Sequence, residues 1–282
     1  MGVIEYYRPA SVSEAIDLLG RHGPELLVMA GGTIAMPLVN DGISMPERVM
    51  SLRAAGMDTI ERRPNEIRIG ATSSLQRLLT LHDVPLLAEA ARHTGAWAVR
   101  NVGTVGGNLF APPPAGDITV ALLALDAWLL IAGPEVVREV PIALFHTGFM
   151  TTELRPDELV TEIRVPATRG ETAFRKLGRR LASTPAVVTV AARIEHEAGR
   201  VTEARVALGA VGPHPYRSSA AEAALVGAPL DSTTIARAAE AAAATADPAT
   251  DGIATDWYRR RMTSLLVGQA LTDIATDMGD PA

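Results

Sequence analysis

The chain has 282 residues, of which 48% are hydrophobic, and its 26 basic and 32 acidic side chains give a net charge of -6. It has no cysteine, which excludes disulfides, cysteine nucleophiles, thiolate zinc sites and cysteine-ligated iron–sulfur clusters from this chain. No apolar run approaches the ~18 residues of a membrane span. No basic cluster indicates nucleic-acid binding either. We therefore expect a globular cytoplasmic protein with neither a membrane span nor a nucleic-acid partner.

The first predicted elements lead to two adjacent glycines. Ser11 precedes an amphipathic stretch and predicts a capped helix. Residues 26–30 then predict a buried strand, which ends at Gly31-Gly32-Thr33 before a helical turn at residues 34–39. Glycines between a strand and a helix can turn backbone N–H groups towards an anion. The alternative is an ordinary tight connection without a ligand.

A second glycine-rich stretch occupies residues 100–109, with three glycines and two asparagines. This composition predicts backbone held in turns rather than in regular structure. Such turns can direct several N–H groups at a pyrophosphate, although a surface loop without a ligand is the alternative. We call residues 28–35 and 100–109 the first and second glycine segments. Between them the pattern predicts strands at residues 47–52 and 66–71 and helices at residues 73–81 and 85–97.

The pattern of predicted elements changes near residue 170. Before that point, helices and strands are mixed, with a buried helix at residues 118–125 and strands at residues 127–131, 136–140 and 158–166. After it, the pattern predicts an antiparallel sheet followed by helices. The strands fall at residues 173–177, 187–194 and 204–211, and the helices at residues 218–226, 232–246 and 256–274.

Lys176 is the only lysine among the 26 basic residues, and the other 25 (26 − 1) are arginines. A flat guanidinium and a compact ammonium do not fit the same sites, so a lysine retained in such a composition can mark a site that refuses arginine. Chance survival is the alternative, because the two side chains exchange freely on surfaces.

Several common site motifs are absent from the sequence. The six histidines have no metal-binding spacing, so we predict no metal site in this chain. The sequence has no Gly-x-Ser-x-Gly elbow, no P-loop and no Gly-x-Gly-x-x-Gly fingerprint. A nucleotide would have to be bound by another arrangement.

Taken together, Ala30-Gly31-Gly32-Thr33, residues 100–108 and Asp117 resemble the FAD-binding medium subunit of molybdenum hydroxylases, the family of xanthine dehydrogenase and carbon monoxide dehydrogenase flavoproteins. The resemblance covers nearly the whole chain. It extends to the Tyr7-Arg8-Pro9 opening, the stretch from Phe174 to Arg180 and the Tyr258-Arg259-Arg260 stretch.

The resemblance implies an α+β fold. A two-part N-terminal FAD-binding α/β domain of the PCMH type would be followed by a C-terminal domain with a three-stranded antiparallel sheet and helices. Residues 1–55 would form the first FAD-binding subdomain, residues 56–170 the second, and residues 171–282 the C-terminal domain.

The resemblance also implies which residues bind FAD. The first glycine segment would hold the pyrophosphate from one side and the second from the other, with Asp117 at the ribose or adenylate end. Val160 would touch the cofactor through its backbone, Thr94 would lie near the flavin or adenine, and Lys176 near the isoalloxazine, where a cation favours the anionic reduced flavin. The full set is Val28, Met29, Ala30, Gly31, Gly32, Thr33, Ile34, Ala35, Thr94, Asn101, Thr104, Val105, Gly106, Gly107, Asn108, Asp117, Val160 and Lys176.

The function implied by the resemblance is electron transfer. Partner chains, a large molybdopterin subunit and a small subunit with two [2Fe-2S] clusters, would reduce the FAD of this chain, which would pass the electrons to an external acceptor. The assembly would be a dimer of heterotrimers. No side chain of this chain would act as a catalytic acid or base.

Two other functions remain open at this point. One is a self-sufficient flavin oxidase, which would need its own substrate pocket. The other is an assembly subunit that has lost FAD, which the intact Gly106-Gly107-Asn108 stretch disfavours.

Overall fold

The computed structural model describes residues 4–112, 116–180 and 183–279. The N-terminal part of the chain forms a small parallel sheet. Its three strands lie in the order β1-β3-β2. The Ser11 hydroxyl accepts a hydrogen bond from the Glu14 N–H at 3.2 Å, so the predicted helix cap is confirmed. Leu18 and Leu26 belong to the core between the first helix and the sheet. The elements are β1 (Glu5–Tyr7), α1 (Val12–His22), β2 (Leu26–Met29), α2 (Ala35–Asn40) and β3 (Arg48–Ser51).

A five-stranded antiparallel sheet forms the next part of the chain, in the strand order β4-β5-β10-β6-β7. Its strand β4 was not expected, because only one of its four residues is apolar. The buried helix predicted near residue 118 is confirmed: all eight residues of α7 are buried. The elements are β4 (Ile60–Arg63), β5 (Glu66–Gly70), α3 (Leu75–Leu78), α4 (Pro85–Arg92), α5 (Trp97–Val102), α6 (Val105–Leu109), α7 (Asp117–Ala124), β6 (Trp128–Ala132), β7 (Val137–Pro141), α8 (Ile142–Phe145), β8 (His146–Gly148), β9 (Thr151–Thr152) and β10 (Leu159–Pro166).

The C-terminal part is an antiparallel sheet covered by helices, as predicted, but the sheet has four strands rather than three. The additional strand has only two residues and follows two prolines, so its length leaves no alternation for sequence analysis to detect. The α+β fold class is thus confirmed with one strand added. The elements are β11 (Glu171–Gly178), β12 (Ala186–Glu197), β13 (Arg200–Gly209), β14 (Tyr216–Arg217), α9 (Ser219–Leu225), α10 (Ser232–Thr245) and α11 (Asp256–Asp277).

Helix α7 joins the N-terminal part to the C-terminal sheet. A Cβ atom on Gly209 of β13 would lie 2.6 Å from a methyl carbon of Val120, so the helix lies against strand backbone. At the end of the helix, Asp126 accepts hydrogen bonds from three arginines of the sheet, Arg193 (3.0 Å), Arg205 (2.7 Å) and Arg217 (2.9 Å). The C-terminal sheet therefore fixes the helix that begins at Asp117. In the described ranges, no helix has the length and apolarity needed to cross a membrane.

An ion pair with a buried carboxylate lies two residues before Val160. The guanidinium of Arg138 donates to both carboxylate oxygens of Glu158, at 2.8 and 2.7 Å, and the Glu158 side chain is only 2% exposed. Arg138 also pairs with Glu153. These contacts tie the start of β10 to β7.

The Glu158 pair predicts an acid-sensitive contribution to stability. The Arg138 hydrogen bonds hold the pKa of the Glu158 carboxyl below its usual range. The stabilisation is therefore complete above the unfolded-state pKa of about 4.3 and is lost as the pH falls through the folded-state value. We expect Glu158→Gln to lower the free energy of unfolding by about 1.5–3 kcal/mol at pH 7 and to flatten its decline below about pH 5.

Urea unfolding of both proteins between pH 7 and pH 4 measures this difference. Glu135→Gln is the control, because Glu135 is exposed and has no ion pair among the described residues. Equal acid dependence in the wild type and in Glu158→Gln would contradict the assignment.

Candidate functional site

The two glycine segments are in direct contact in the structure. A Cβ atom on Gly31 would lie 2.1 Å from the carbonyl oxygen of Val102 and 2.9 Å from the Cα of Gly103. A Cβ atom on Gly103 would in turn lie 3.3 Å from the Thr33 hydroxyl oxygen. Glycine is required at Gly31 because the backbones approach too closely for any side chain. Two stretches about 70 residues apart in the sequence therefore form one site.

The first glycine segment presents a row of backbone N–H groups without acceptors. Within the described part of the chain, five consecutive residues, Gly31 to Ala35, donate no backbone hydrogen bond, and the next N–H, of Met36, donates to the Gly32 carbonyl at 2.9 Å. Gly32 turns the chain here with a φ of +75°. Unpaired N–H groups in such a turn bind anions such as phosphates, so this segment fits a pyrophosphate.

The second glycine segment is largely helical, and the prediction that it lies in turns was wrong. Helices α5 and α6 fill it, separated by Gly103 and Thr104. The Thr104 hydroxyl caps α6 by accepting from the Gly107 N–H at 3.0 Å. Glycine content alone misled the prediction, because a threonine cap and contacts with neighbouring backbone stabilise a helix there.

Most N–H groups of this second segment already have acceptors in the chain. Val105 donates to the Ser73 carbonyl at 3.0 Å and Gly106 to the Ala71 carbonyl at 2.8 Å. Asn108 donates to the Thr104 carbonyl at 3.0 Å. Gly106 is tightly packed, since a Cβ atom there would lie 2.8 Å from Ala71. The second segment is therefore closely packed, and the N–H groups without acceptors lie on the first segment. The predicted cofactor contacts of the second segment remain predictions.

The two asparagines of the second segment have different surroundings. Asn101 is exposed, and its amide donates to the Trp97 carbonyl at 2.8 Å. Asn108 is buried, and its side-chain oxygen accepts from the Ile118 N–H at 3.1 Å. Asn108 therefore connects α6 to the first turn of α7, beside Asp117.

Asp117 and Lys176 form a buried ion pair. The Lys176 ammonium lies 2.5 Å from Asp117 Oδ2, and the two side chains are 7% and 6% exposed. Lys176 also donates to the His93 carbonyl at 3.2 Å, and the Thr189 hydroxyl donates to Asp117 Oδ1 at 2.9 Å. Two of the three ammonium N–H groups are thus occupied, which leaves one for a ligand. The cofactor roles of both residues remain predictions.

The remaining predicted residues differ in burial and in hydrogen bonding. Thr94 is buried and its hydroxyl donates to the Ala90 carbonyl at 2.7 Å. Val160 is buried in β10, next to Thr161, whose carbonyl accepts from the Ala71 N–H at 2.9 Å. That bond connects β10 to the second glycine segment through Ala71. Val28 and Met29 end strand β2, and Ala30 follows them.

Sequence analysis did not identify Thr189 as part of the site. It is 1% exposed and lies within the apolar strand β12. A buried hydroxyl in such a strand needs a hydrogen-bond partner, which is the signal that could have found it. Its partner Asp117 is 72 residues away in the sequence, so the pairing itself was not visible.

No group of three or more possible metal ligands from histidine, aspartate and glutamate occurs in residues 4–112, 116–180 and 183–279. The first glycine segment can bind a phosphate-containing ligand through its backbone N–H groups, and Asp117 and Lys176 form a buried ion pair elsewhere among the predicted residues.

Comparison with protein families identifies both parts of the chain. Residues 2–168 match the FAD binding domain in molybdopterin dehydrogenase, and residues 172–274 match the CO dehydrogenase flavoprotein C-terminal domain.

Relatives and solved structures agree with these matches. The carbon monoxide dehydrogenase medium chain of Hydrogenophaga pseudoflava is 32% identical over 274 residues, 95% of each chain. The glyceraldehyde dehydrogenase medium chain of Sulfolobus acidocaldarius is 29% identical over 276 residues, 96% of this chain and 98% of the relative. The structure of carbon monoxide dehydrogenase from Hydrogenophaga pseudoflava lacking the Mo-pyranopterin moiety contains a chain with a TM-score of 0.93 and 32% identity, covering 97% of this chain and 98% of its own.

The matches cover nearly the whole sequence, and the unpaired N–H groups of the first glycine segment suit the pyrophosphate of FAD. The chain therefore belongs to the family of FAD-binding medium chains of molybdopterin-dependent dehydrogenases, and it is an oxidoreductase component.

Proposed function

We propose that this chain is the electron-transfer subunit of a heteromeric molybdenum hydroxylase. Its FAD would take electrons from [2Fe-2S] clusters of a small partner subunit, which a large molybdopterin subunit reduces, and pass them to an external acceptor. The observation that carries the proposal is the row of five N–H groups, Gly31 to Ala35, that have no acceptor among the described residues, together with the close contact of Gly31 with the Val102-Gly103 peptide.

In this reaction the protein would bind FAD and orient it. Bound FAD supplies one-electron and two-electron redox chemistry. The N–H groups of Gly31 to Ala35 would hold its pyrophosphate, and the free N–H of the Lys176 ammonium would donate to an oxygen of the cofactor. Asp117 balances the lysine charge, so the pair adds a directed dipole rather than an uncompensated cation.

The assembly is part of the proposal. The relatives include medium chains of carbon monoxide and glyceraldehyde dehydrogenases, and a medium chain implies larger and smaller companions. We infer a cytoplasmic dimer of heterotrimers. Native mass spectrometry of the chain co-expressed with the products of its neighbouring genes is expected to give two copies of each subunit, and a monomeric medium chain would contradict this inference.

The experiment that tests the function compares the FAD-loaded complex with the same complex stripped of FAD. Both are reduced anaerobically, mixed with NAD, oxygen or a soluble quinone, and followed through the cluster absorbance. We expect reoxidation of the clusters by at least one of these acceptors to be about a hundredfold slower without FAD, and to recover when FAD is added back.

Other outcomes would favour the two alternatives. Equal reoxidation rates with and without FAD would contradict the electron-transfer role. A complex that purifies without flavin would indicate an assembly subunit. Oxidation of an organic substrate by the flavin-loaded chain alone would indicate a self-sufficient oxidase.

A further inference from the structure

The loop between helices α4 and α5, residues 93–96, contacts strand β11 on one side. The Lys176 ammonium of β11 donates to the His93 carbonyl of this loop at 3.2 Å. The His93 ring also lies against Phe174 of the same strand, with ring centroids 5.8 Å apart. The loop thus supplies one of the two acceptors that hold Lys176.

On the other side, Arg100 of helix α5 donates to the backbone before and after His93. Its Nη1 atom lies 2.8 Å from the Gly95 carbonyl oxygen and 3.4 Å from the Arg92 carbonyl oxygen. Its Nε atom donates to the side-chain oxygen of Gln76 in α3 at 3.2 Å, which directs the guanidinium. Hydrogen bonds from an ionised donor are stronger than those from a neutral one. Arg100 therefore fastens the loop to α5 at both positions that flank the acceptor carbonyl.

The loop has few backbone hydrogen bonds of its own. Within the described part of the chain, the N–H groups of Gly95 and Ala96 donate to no backbone carbonyl. Gly95 has a φ of +60°, and glycine gains more conformational freedom than any other residue when a segment loosens. The contacts made by Arg100 are therefore important for keeping this loop in one conformation.

The position of the loop determines how Lys176 is held. The ammonium has two acceptors among the described residues, the His93 carbonyl and Asp117 Oδ2. A lysine side chain is long and flexible, so two acceptors in different directions orient the ammonium better than one. If the loop moved away, the ion pair with Asp117 would remain, but the third N–H of the ammonium would lose its fixed direction.

We propose that Arg100 is a positioning residue of the cofactor site, because it holds the α4–α5 loop where the His93 carbonyl can accept from Lys176. Helix α5 also contacts the first glycine segment, since a Cβ atom on Gly31 would lie 2.1 Å from the Val102 carbonyl oxygen. Helix α5 thus contacts the N–H row directly and the ammonium through the loop. The inference deepens the proposed function, on which its cofactor part rests.

The test uses the fact that Lys176 is the only lysine of the chain. The full chain, stripped of FAD, is treated with N-hydroxysuccinimidyl acetate at constant pH, and acetylation of the peptide that contains Lys176 is followed by mass spectrometry. A buried amine reacts only while its surroundings are open. We expect Arg100→Met to raise this acetylation rate and to weaken FAD binding, each by about fivefold or more.

Two further variants separate positioning from general loss of structure. Arg100→Lys keeps a cationic donor without the planar fork, so its rate should lie between those of the wild type and Arg100→Met. Arg92→Met is the matched control, because the Arg92 side chain is 60% exposed and pairs with Glu89 of its own helix. It should change the acetylation rate and the FAD affinity by no more than about twofold. Thermal unfolding verifies that each variant is folded, and Arg100→Lys decides alone if Arg100→Met does not fold.

The proposal fails if the Lys176 acetylation rate is unchanged in the Arg100 variants, or if Arg92→Met raises it equally. Faster acetylation with unchanged FAD affinity would also overturn it, because Arg100 would then have no role in the cofactor site. Acetylation is measured without flavin and without electron transfer. A stripped chain that binds FAD as expected but forms a complex inactive in electron transfer would therefore contradict the proposed function and leave the role of Arg100 in place.

Discussion

Lys176→Met is expected to lower the free energy of unfolding by about 3–5 kcal/mol, because it leaves the Asp117 carboxylate buried without a counter-charge. Both side chains are less than a tenth exposed, and the ammonium of Lys176 lies 2.5 Å from Asp117. Among the described residues, the Asp117 side chain would keep one hydrogen-bond partner, the Thr189 hydroxyl. Urea unfolding of the isolated chain and of the assembled complex measures the change in the free energy of unfolding.

The neighbouring residue offers the matched control. Arg175 pairs with Asp273 at the surface, where the two side chains are 46% and 37% exposed, so Arg175→Met should cost no more than about 1 kcal/mol. The double variant Lys176→Met/Asp117→Asn should recover part of the loss, since the charge is then removed. A cost below about 1 kcal/mol for Lys176→Met would show that the pair is not buried as described.

Lys176→Arg tests whether the site needs the shape of a lysine side chain as well as its positive charge. The positive charge is kept, but a planar guanidinium replaces a compact ammonium in a closed site, and we expect a loss of about 1–3 kcal/mol. This loss would account for the single lysine in a chain with 25 arginines. An unchanged stability would instead mean that the shape of the buried pair does not explain why this residue is a lysine.

Gly31→Ala is expected to have the largest effect on cofactor binding. Its Cβ atom would lie 2.1 Å from the Val102 carbonyl oxygen, a contact that only backbone movement can relieve. Such overpacking costs about 1–3 kcal/mol. The movement separates the two glycine segments, so we expect FAD affinity to fall at least tenfold, measured by fluorescence titration of the stripped protein with FAD.

Gly20→Ala is the control for this variant. Gly20 lies in helix α1, and nothing is within 4 Å of a Cβ atom placed there. Alanine favours a helix over glycine by about 0.5–1 kcal/mol, so this change should be neutral or stabilising and should leave FAD affinity unchanged. If Gly31→Ala kept the wild-type affinity for FAD, the close contact at Gly31 would not be needed for cofactor binding.

Local patterns predicted much of this fold. Ser11 correctly marked the start of α1, and the apolar run after Asp117 correctly indicated a buried helix. These features depend on residues close together in the sequence. Strand β4 escaped detection because it is mostly charged, and β14 because it has two residues.

The site was only partly predictable, because its contacts join distant residues. Glycine pairs and a following aspartate indicated both segments, and Gly31 does meet Gly103. The sequence could not show that the free N–H groups lie on the first segment while those of the second bond to Ala71 and Ser73. Those acceptors belong to the stretch between β5 and α3, and its position against α6 is a tertiary property.

FAD content measures the central claim most directly. The complex, purified from co-expression with its neighbouring gene products, is denatured, and released flavin is quantified by absorbance near ~450 nm and identified by mass. We expect one FAD per copy of this chain, with a lower flavin content in Gly31→Ala and an unchanged content in Gly20→Ala. A complex with intact iron–sulfur absorbance and no flavin would contradict this expectation and leave the contact between the two glycine segments as a purely structural one.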